Sequence, residues 1–461
     1  MRQSLQYGLD VEPDTDTGLD FDPVRVDPLL STSYACPDFA RALHPTSDRP
    51  RLSGSKRIRQ ALLLIFSDPV PTECLRLLLL TDRQWQQALH WLDVSGLALY
   101  FLDRIEQLDL TGILPARVLA RLRQNLADNT ARTAALMKDW TEIQRSFQSA
   151  GLSYATVKGF SLGPPSVPAL KLRSQLDLDF LVAETSAPRA RCILEDRGFR
   201  LRAISGRSWE FSANDSRPMT LRDLYRATPH RYVELHIESA SMTSPLLKRL
   251  HYRRFCGRAM PVLNPTDLFL GQGLHIYKHL RGQSTRTAHL LEFRRHVIAR
   301  SGDLAFWREL RVLAEMNPHA PIGLGVVIQI ITRMMGDFAP LALTSWTVDR
   351  LPSAARLWID MYGHDSILAD SPGTKLHLFL EEALAPTGMA AKRSLRQTLV
   401  PPPTPPTIVH AAFDEDLLAR VRRHWAQLKF TSLRARFHFR EGLRFLRESR
   451  RWRKSLARTA G

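Results

Sequence analysis

The chain has 461 residues, 44% of them hydrophobic and 8% aromatic, and carries a formal net charge of +18. That length and composition provide for two or more folded cores and exclude a wholly disordered chain. No apolar run reaches the roughly 18 residues that a bilayer span requires; the nearest, "PIGLGVVIQII" at 321–331, is too short. The N-terminus lacks the basic-then-apolar layout of a signal peptide, and Cys36, Cys74, Cys192 and Cys256 form no Cys-x-x-Cys. A reducing, cytoplasmic setting without structural zinc is therefore expected.

Residues 1–55 hold nine acids against five arginines, a net −4, in a polar, Pro-bearing stretch that reads as a disordered or loosely docked arm. Over 56–150 the pattern is helical: Trp85, Leu89 and Leu92 share a face, and Leu136, Trp140, Ile143 and Phe147 recur at helical spacing before Gly151 ends the run. The tryptophans read as core packing. From Gly151 the texture changes to short elements. "LSYATV" reads as a strand, "KGFSL" as a tight entry to a helix and "LDLDFLV" as the next strand. "SAPRARCILEDRGF" is a helix with Pro188 in its first turn and Gly198 at its end, and "RYVELHI" at 231–237 is a further strand. These make a small mixed α/β core over 151–240. A second helical lobe, 241–390, has start signals at Asn264 and Pro265. A Pro-rich linker at 391–410 and a basic amphipathic helical tail at 411–461 complete the chain. The fold class expected is α+β, a small mixed-sheet core flanked by helical lobes.

Asp-x-Asp occurs four times, at Asp14/Asp16, Asp20/Asp22, Asp177/Asp179 and Asp414/Asp416, so the spacing alone carries little. The first two pairs lie in the polar arm, and the fourth heads a helix, where acids favour the positive end of the dipole. Only Asp177 and Asp179 sit in a strand-like alternation, which projects both carboxylates from one face. Two such carboxylates suit a hard divalent cation, Mg²⁺ or Mn²⁺, that also binds substrate phosphates. Displacement at an α-phosphate favours a pair of metals and a third acid. Glu234 supplies that acid if "YVELHI" lies beside the first strand, with His236 on the same face.

Upstream, Lys158-Gly159 sits at a strand-to-helix turn, where Gly admits close backbone approach and a helix N-terminus favours phosphate. Lys158 would add a cation to a triphosphate, and Arg173 is a further phosphate or carboxylate partner. Each has a plainer reading: a simple turn for Lys158-Gly159, a surface ion pair for Arg173, a satisfied core histidine for His236.

In order, "TVKGFSLGPPSVPALKLRSQLDLDFLVAETSAPRARCILEDRGF", "YVELHI" and "LNPTDLFLGQGLHIYKHL" resemble the uncharacterised nucleotidyltransferase family of the polymerase-β-like superfamily. The resemblance covers roughly residues 60–300 and includes the helical "GLALYFLDRI". It implies a nucleotidyltransferase core in which Lys158 and Gly159 open the nucleotide-facing helix, Asp177 and Asp179 hold the metals, and Glu234 takes the third-acid place. His236, His275 and His279 fall on family histidines. Lys158-Gly159 replaces the superfamily's usual Gly-Ser, so no Ser hydroxyl is available to phosphate there. The downstream acid of the family has only Glu292 to match it. The activity implied is transfer of an NMP from an NTP to an acceptor hydroxyl with release of pyrophosphate; the alternative is a noncatalytic nucleotide- or RNA-binding module of the same fold.

From Arg420 onward, 14 Lys and Arg face two acids, a net +12 in 42 residues. Trp425, Phe430, Phe437, Phe439, Phe445 and Trp452 are interleaved with the arginines. The aromatic stripe is expected to dock on the protein's own helical lobe. The arginine face is expected to stay outward as a surface for RNA or another polyanion.

Overall fold

The computed structural model describes residues 54–213, 223–226, 231–239, 245–282, 285–369, 373–385, 398–400 and 416–460. The expected arm and most of the Pro-rich linker lie outside these residues. Four helices come first: α1 (Gly54–Leu64), α2 (Asp82–Ser95), α3 (Ala98–Gln107) and the long α4 (Ala116–Ser149). Helix α2 starts at a capping box, Thr81 accepting from the Gln84 backbone while the Gln84 side chain returns to Thr81, and ends on Gly96 at φ +75°. Trp85, Leu89 and Leu92 are buried in the helical core, as their spacing predicts. The second face behaves differently. Leu136, Trp140, Ile143 and Phe147 of α4 pack against the sheet rather than within the helical lobe, Phe147 meeting Phe180 edge-on at 5.4 Å.

A seven-stranded mixed sheet follows, built from β1 (Tyr154–Val157), β2 (Leu178–Ala183), β3 (Arg200–Ser205), β4 (Ser208–Ala213), β5 (Arg231–Glu238), β6 (Leu250–Phe255) and β7 (Arg258–Leu263). Helix α5 (Ala187–Asp196) lies between β2 and β3, with Pro188 in its first turn and Gly198 at φ +85° past its end. The strand order is β3-β4-β5-β2-β1-β7-β6. Strands β2 and β5 are central neighbours and run parallel, with Asp179 opposite Glu234 and Leu181 opposite His236. The sheet runs on to Leu263, beyond the expected end of the core near residue 240, because β7 returns to pair with β1 at Thr156 and Val262.

The chain then becomes helical again. Asn264 caps α6 (Pro265–Arg281) by accepting from the Thr266 backbone at 3.0 Å, with Pro265 at the first helical position. Helices α7 (Thr287–Ala299), α8 (Leu304–Glu315), α9 (Ala320–Met335), α10 (Leu341–Thr344), α11 (Ser353–Ile367) and α12 (His377–Ala383) continue the lobe. The apolar "PIGLGVVIQII" becomes part of α9, buried among its neighbours. No described helix is long and apolar enough to cross a membrane. The last helix, α13 (Leu417–Ala460), is 44 residues long. The fold is thus α+β, one mixed sheet flanked by helices.

Candidate active site

The parallel register of β2 and β5 decides the site. Parallel neighbours with matched residues present the side chains of Asp179 and Glu234 on one face of the sheet, and His236 follows two residues along the same face. His236 Nε2 lies 2.9 Å from Asp179 Oδ1 and 3.3 Å from Glu234 Oε2. One donor atom each from Asp179, Glu234 and His236 fall within 4.8 Å of one another, and this is the only such group among the described residues.

Into that cluster points Lys158, its Nζ 2.6 Å from Asp179 Oδ1 and 3.0 Å from Glu234 Oε2. Lys158 follows β1, which pairs antiparallel with β2, so the turn after β1 delivers the ammonium to the acidic face. Its backbone sits at φ +54°, ψ −149°, a conformation that costs a non-Gly residue on the order of 1–3 kcal/mol. The next residue, Gly159, has φ +28° and opens a single 3₁₀ turn, Gly159–Leu162, in place of the expected longer helix. A Cβ on Gly159 would meet Gln175 Nε2 at 2.3 Å. Gln175 uses that nitrogen to donate to the Asp177 carbonyl at 2.8 Å. Glycine is required here so that Gln175 can cross the turn and fix the backbone of Asp177. Ser161 is buried, its hydroxyl donating to the Lys158 carbonyl at 2.6 Å.

Asp177 stands one residue ahead of β2 and is half-buried. It is not part of the tight donor set, but it shares its field. Burial, and then the neighbouring charge of Asp179, push its carboxyl from 3.8 up to about 7 against the pull of Lys158. Glu234 goes the other way: burial opposes ionisation, yet the hydrogen bond from His236 and the charge of Lys158 hold its carboxyl well below the usual range. Ser208 of β4 also donates to Glu234 Oε1. His236 is pushed down by burial and by Lys158, but its bonds to Asp179 and Glu234 win and favour the imidazolium. Lys158 stays charged in spite of burial, because Asp179, Glu234 and Asp177 surround it.

Arg173 finds a carboxylate partner, and a buried one. Its Nε donates to the buried Glu292 of α7 at 3.0 Å, and the Tyr100 hydroxyl of α3 donates to the same oxygen at 2.9 Å. Burial opposes its charge while Glu292 and Tyr100 favour it; Asp177 acts in the same direction, which places the guanidinium within electrostatic reach of the acidic pair. Glu292, the weakly matched acid of the sequence, is thus the partner of Arg173. His275 and His279 of α6 stack edge-on at 4.3 Å, and His289 of α7 joins them at 5.5 Å from His275. Burial keeps His275 and His289 neutral, and the charges of Lys158 and Arg173 push His275 the same way. Sequence reasoning missed Ser208, Gln175 and His289. Ser208 lies on a strand it did not identify, and His289 meets the other rings only through the packing of α7 on α6.

The frame of the site is thus an α+β fold in which a parallel strand pair carries Asp179 and Glu234 opposite one another and a Lys-Gly turn is aimed at them. The family described as uncharacterised nucleotidyltransferase matches residues 81–327, and the chain belongs to that family. Among solved structures it is similar to ANT(2")-Ia in complex with adenylyl-2"-tobramycin, at 10% identity and TM-score 0.30, covering 39% of this chain and 96% of that one. A nucleotidyltransferase-like antigenic protein from Paracoccidioides brasiliensis is 12% identical with TM-score 0.26, covering 44% and 94%. No curated protein matches the chain.

Proposed function

We propose that the protein transfers a nucleoside monophosphate from an NTP to an acceptor hydroxyl, releasing pyrophosphate, with Mg²⁺ or Mn²⁺ bound at Asp177, Asp179 and Glu234. The observation that carries this reading is the β2–β5 register, which sets Asp179 against Glu234 with a cation, Lys158 Nζ, already seated between them. The carboxylate oxygens suit Mg²⁺ and Mn²⁺ alike. When bound, such cations supply charge stabilisation at the α-phosphate and activation of the attacking oxygen, a pair of them serving both oxygens of an in-line displacement.

The chain's own residues do the rest. His236 orients Asp179 through its hydrogen bond, and Ser208 does the same for Glu234. Lys158 is the cation that a divalent ion would displace; released, its ammonium pairs with phosphate oxygens of the NTP. Asp177 stands with Asp179 as a ligand of the cation, whose charge would hold its carboxyl ionised, and the proton of the acceptor hydroxyl passes to solvent as its oxygen bonds to the α-phosphorus. The bond to the β-phosphate breaks and pyrophosphate leaves. Gly159 lets Gln175 brace the backbone of Asp177, and Arg173 contributes at longer range from its pairing with Glu292.

The second reading, a noncatalytic nucleotide- or RNA-binding module, is favoured by one observation: Lys158 ion-pairs with both Asp179 and Glu234. Incubation with each NTP and candidate acceptors, followed by pyrophosphate assay and mass spectrometry, separates the two. Pyrophosphate release with a matching mass increase of one NMP is expected. Nucleotide binding with no release in Mg²⁺ or Mn²⁺ would establish the second.

A further inference from the structure

Helix α13 packs on the lobe through its second half, where Glu441, Gly442, Ser449 and Trp452 are buried, and is more open over its first half. On the inner face, Trp452 is fully buried and stacks on Phe379 of α12 at 5.5 Å, and Phe445 stacks on the same ring at 4.4 Å. Gly442 lies so close to the Thr398 backbone that a Cβ would come within 2.6 Å of its carbonyl. Glu441 accepts from Thr374 at 2.8 Å and Glu448 from Tyr362 at 3.2 Å, so both acids of the helix are committed inward. Part of the expected docking is therefore present, carried by Phe445 and Trp452.

The outer face has a different composition. Leu418, Val421, Trp425 and Leu428 follow one another at helical spacing and are 56%, 58%, 67% and 56% exposed; Phe439, three turns further on, falls in the same row at 56%. Beside this row runs a second, Arg422, Lys429, Arg436 and Arg440, all exposed. The row is unbroken from Leu418 to Leu428 and interrupted by Ser432 and Ala435 before Phe439; soluble surfaces seldom leave four large apolar side chains in line open, so it calls for a partner that is apolar at its centre and anionic at its margin.

We propose that this outer face of α13 docks on an anionic lipid bilayer, the apolar row entering the interface and the flanking cations meeting the headgroups. RNA, the partner that charge alone suggests, fits less well. Leu418, Val421 and Leu428 offer no ring for a base to stack on, whereas an acyl layer takes aliphatic and aromatic side chains alike. A second copy of the helix also fits less well. It would bring Arg422, Lys429 and Arg436 against their own counterparts with no outward acid within α13 to pair them.

The test is co-sedimentation of the full chain with phosphatidylcholine vesicles, with and without phosphatidylglycerol. Binding is expected only with the anionic lipid, falling with salt. The triple variant Val421→Ser/Trp425→Ser/Leu428→Ser, which leaves every charge in place, should lower vesicle affinity by about tenfold or more. Arg422→Gln/Lys429→Gln/Arg436→Gln should lower it comparably and flatten the salt dependence. The second variant keeps the proposal falsifiable should the first unfold. Equal binding to neutral vesicles, or no loss in both variants, overturns it. So does failure to bind vesicles together with retention of a single-stranded RNA, or with a doubling of mass by light scattering that the triple variant abolishes.

Discussion

Two clusters of charged side chains lie close together in this molecule and are balanced differently. Around Arg173 the count is one to one: a single guanidinium meets a single buried carboxylate, Glu292, whose second partner is the Tyr100 hydroxyl. Four residues along the chain, Asp177, Asp179 and Glu234 crowd around Lys158, with His236 bridging two of the acids and Arg173 acting on Asp177 from its own pair. A matched buried pair holds elements together, here the segment before β2, α3 and α7, and its loss leaves an uncompensated charge. In the second cluster the carboxylates repel one another, Asp179 holding the Asp177 carboxyl up, and a bound cation would relieve that repulsion, which supports the proposed role of this cluster.

The contrast is sharpened by removing charge from each cluster in turn. Asp179→Ala should lower nucleotidyl transfer on the order of 10³-fold, the equivalent of several kcal/mol of metal-borne stabilisation, while the chain stays folded by circular dichroism. Full activity in that variant would detach the acidic cluster from the reaction. Glu292→Ala should act on stability instead, costing about 3 kcal/mol in urea unfolding because Arg173 is left buried and unpaired. An unchanged denaturation midpoint would remove the distinction between the clusters.

Gly159→Ala tests how the turn supports Asp177. The new methyl must displace Gln175 from the Asp177 carbonyl, and the backbone at φ +28° is strained for alanine, so kcat/KM should fall by about tenfold. Gln175→Ala in the same background removes the clash, so the two changes should be non-additive in a double-mutant cycle.

The smallest effect is on the metal-free fold. Because the Asp177 carboxyl is raised to about 7, the folded chain keeps a proton that the unfolded chain has lost between its ordinary 3.8 and that value. Stability therefore falls as pH rises through this window, and His236, raised by its carboxylate partners, adds a loss in the same direction above its ordinary value. Glu234, held low, contributes stability that disappears only in strong acid. Asp177→Asn should flatten the decline and raise the melting temperature above neutral pH by about 2 °C, measured by calorimetry in chelator. A lower melting temperature in that variant would show that Asp177 is not repelled by its neighbours.

The central pair of strands was legible because their alternation is strong: "LDLDFLV" and "YVELHI" set Asp179 and Glu234 on the face opposite Phe180 and Leu235; that the two strands run parallel was not legible. Strands β3 and β6 were not legible. "RLRAIS" and "LHYRRF" are the two edges of the sheet, half exposed and rich in arginine, so they lack the apolar alternation that identifies an interior strand. Arg173 was read as a phosphate or carboxylate partner, and nothing in the sequence reveals that the carboxylate beside it is Glu292, 119 residues away. The face of α4 carrying Trp140 and Phe147 had the right period but no signal of its target, which proves to be the sheet. On α13, the even mixture of arginine and aromatic residues gave no indication that Trp452 would be buried and Trp425 two-thirds exposed.

The most direct test of the acidic cluster is a Mn²⁺ titration of the protein followed by electron paramagnetic resonance, in wild type, Asp179→Asn, Glu234→Gln and Glu292→Ala. The structure predicts saturable Mn²⁺ binding in wild type, weakened by about tenfold or more in the first two variants and retained in the third. Binding in Asp179→Asn as tight as in wild type would contradict the assignment of this strand face as the metal seat.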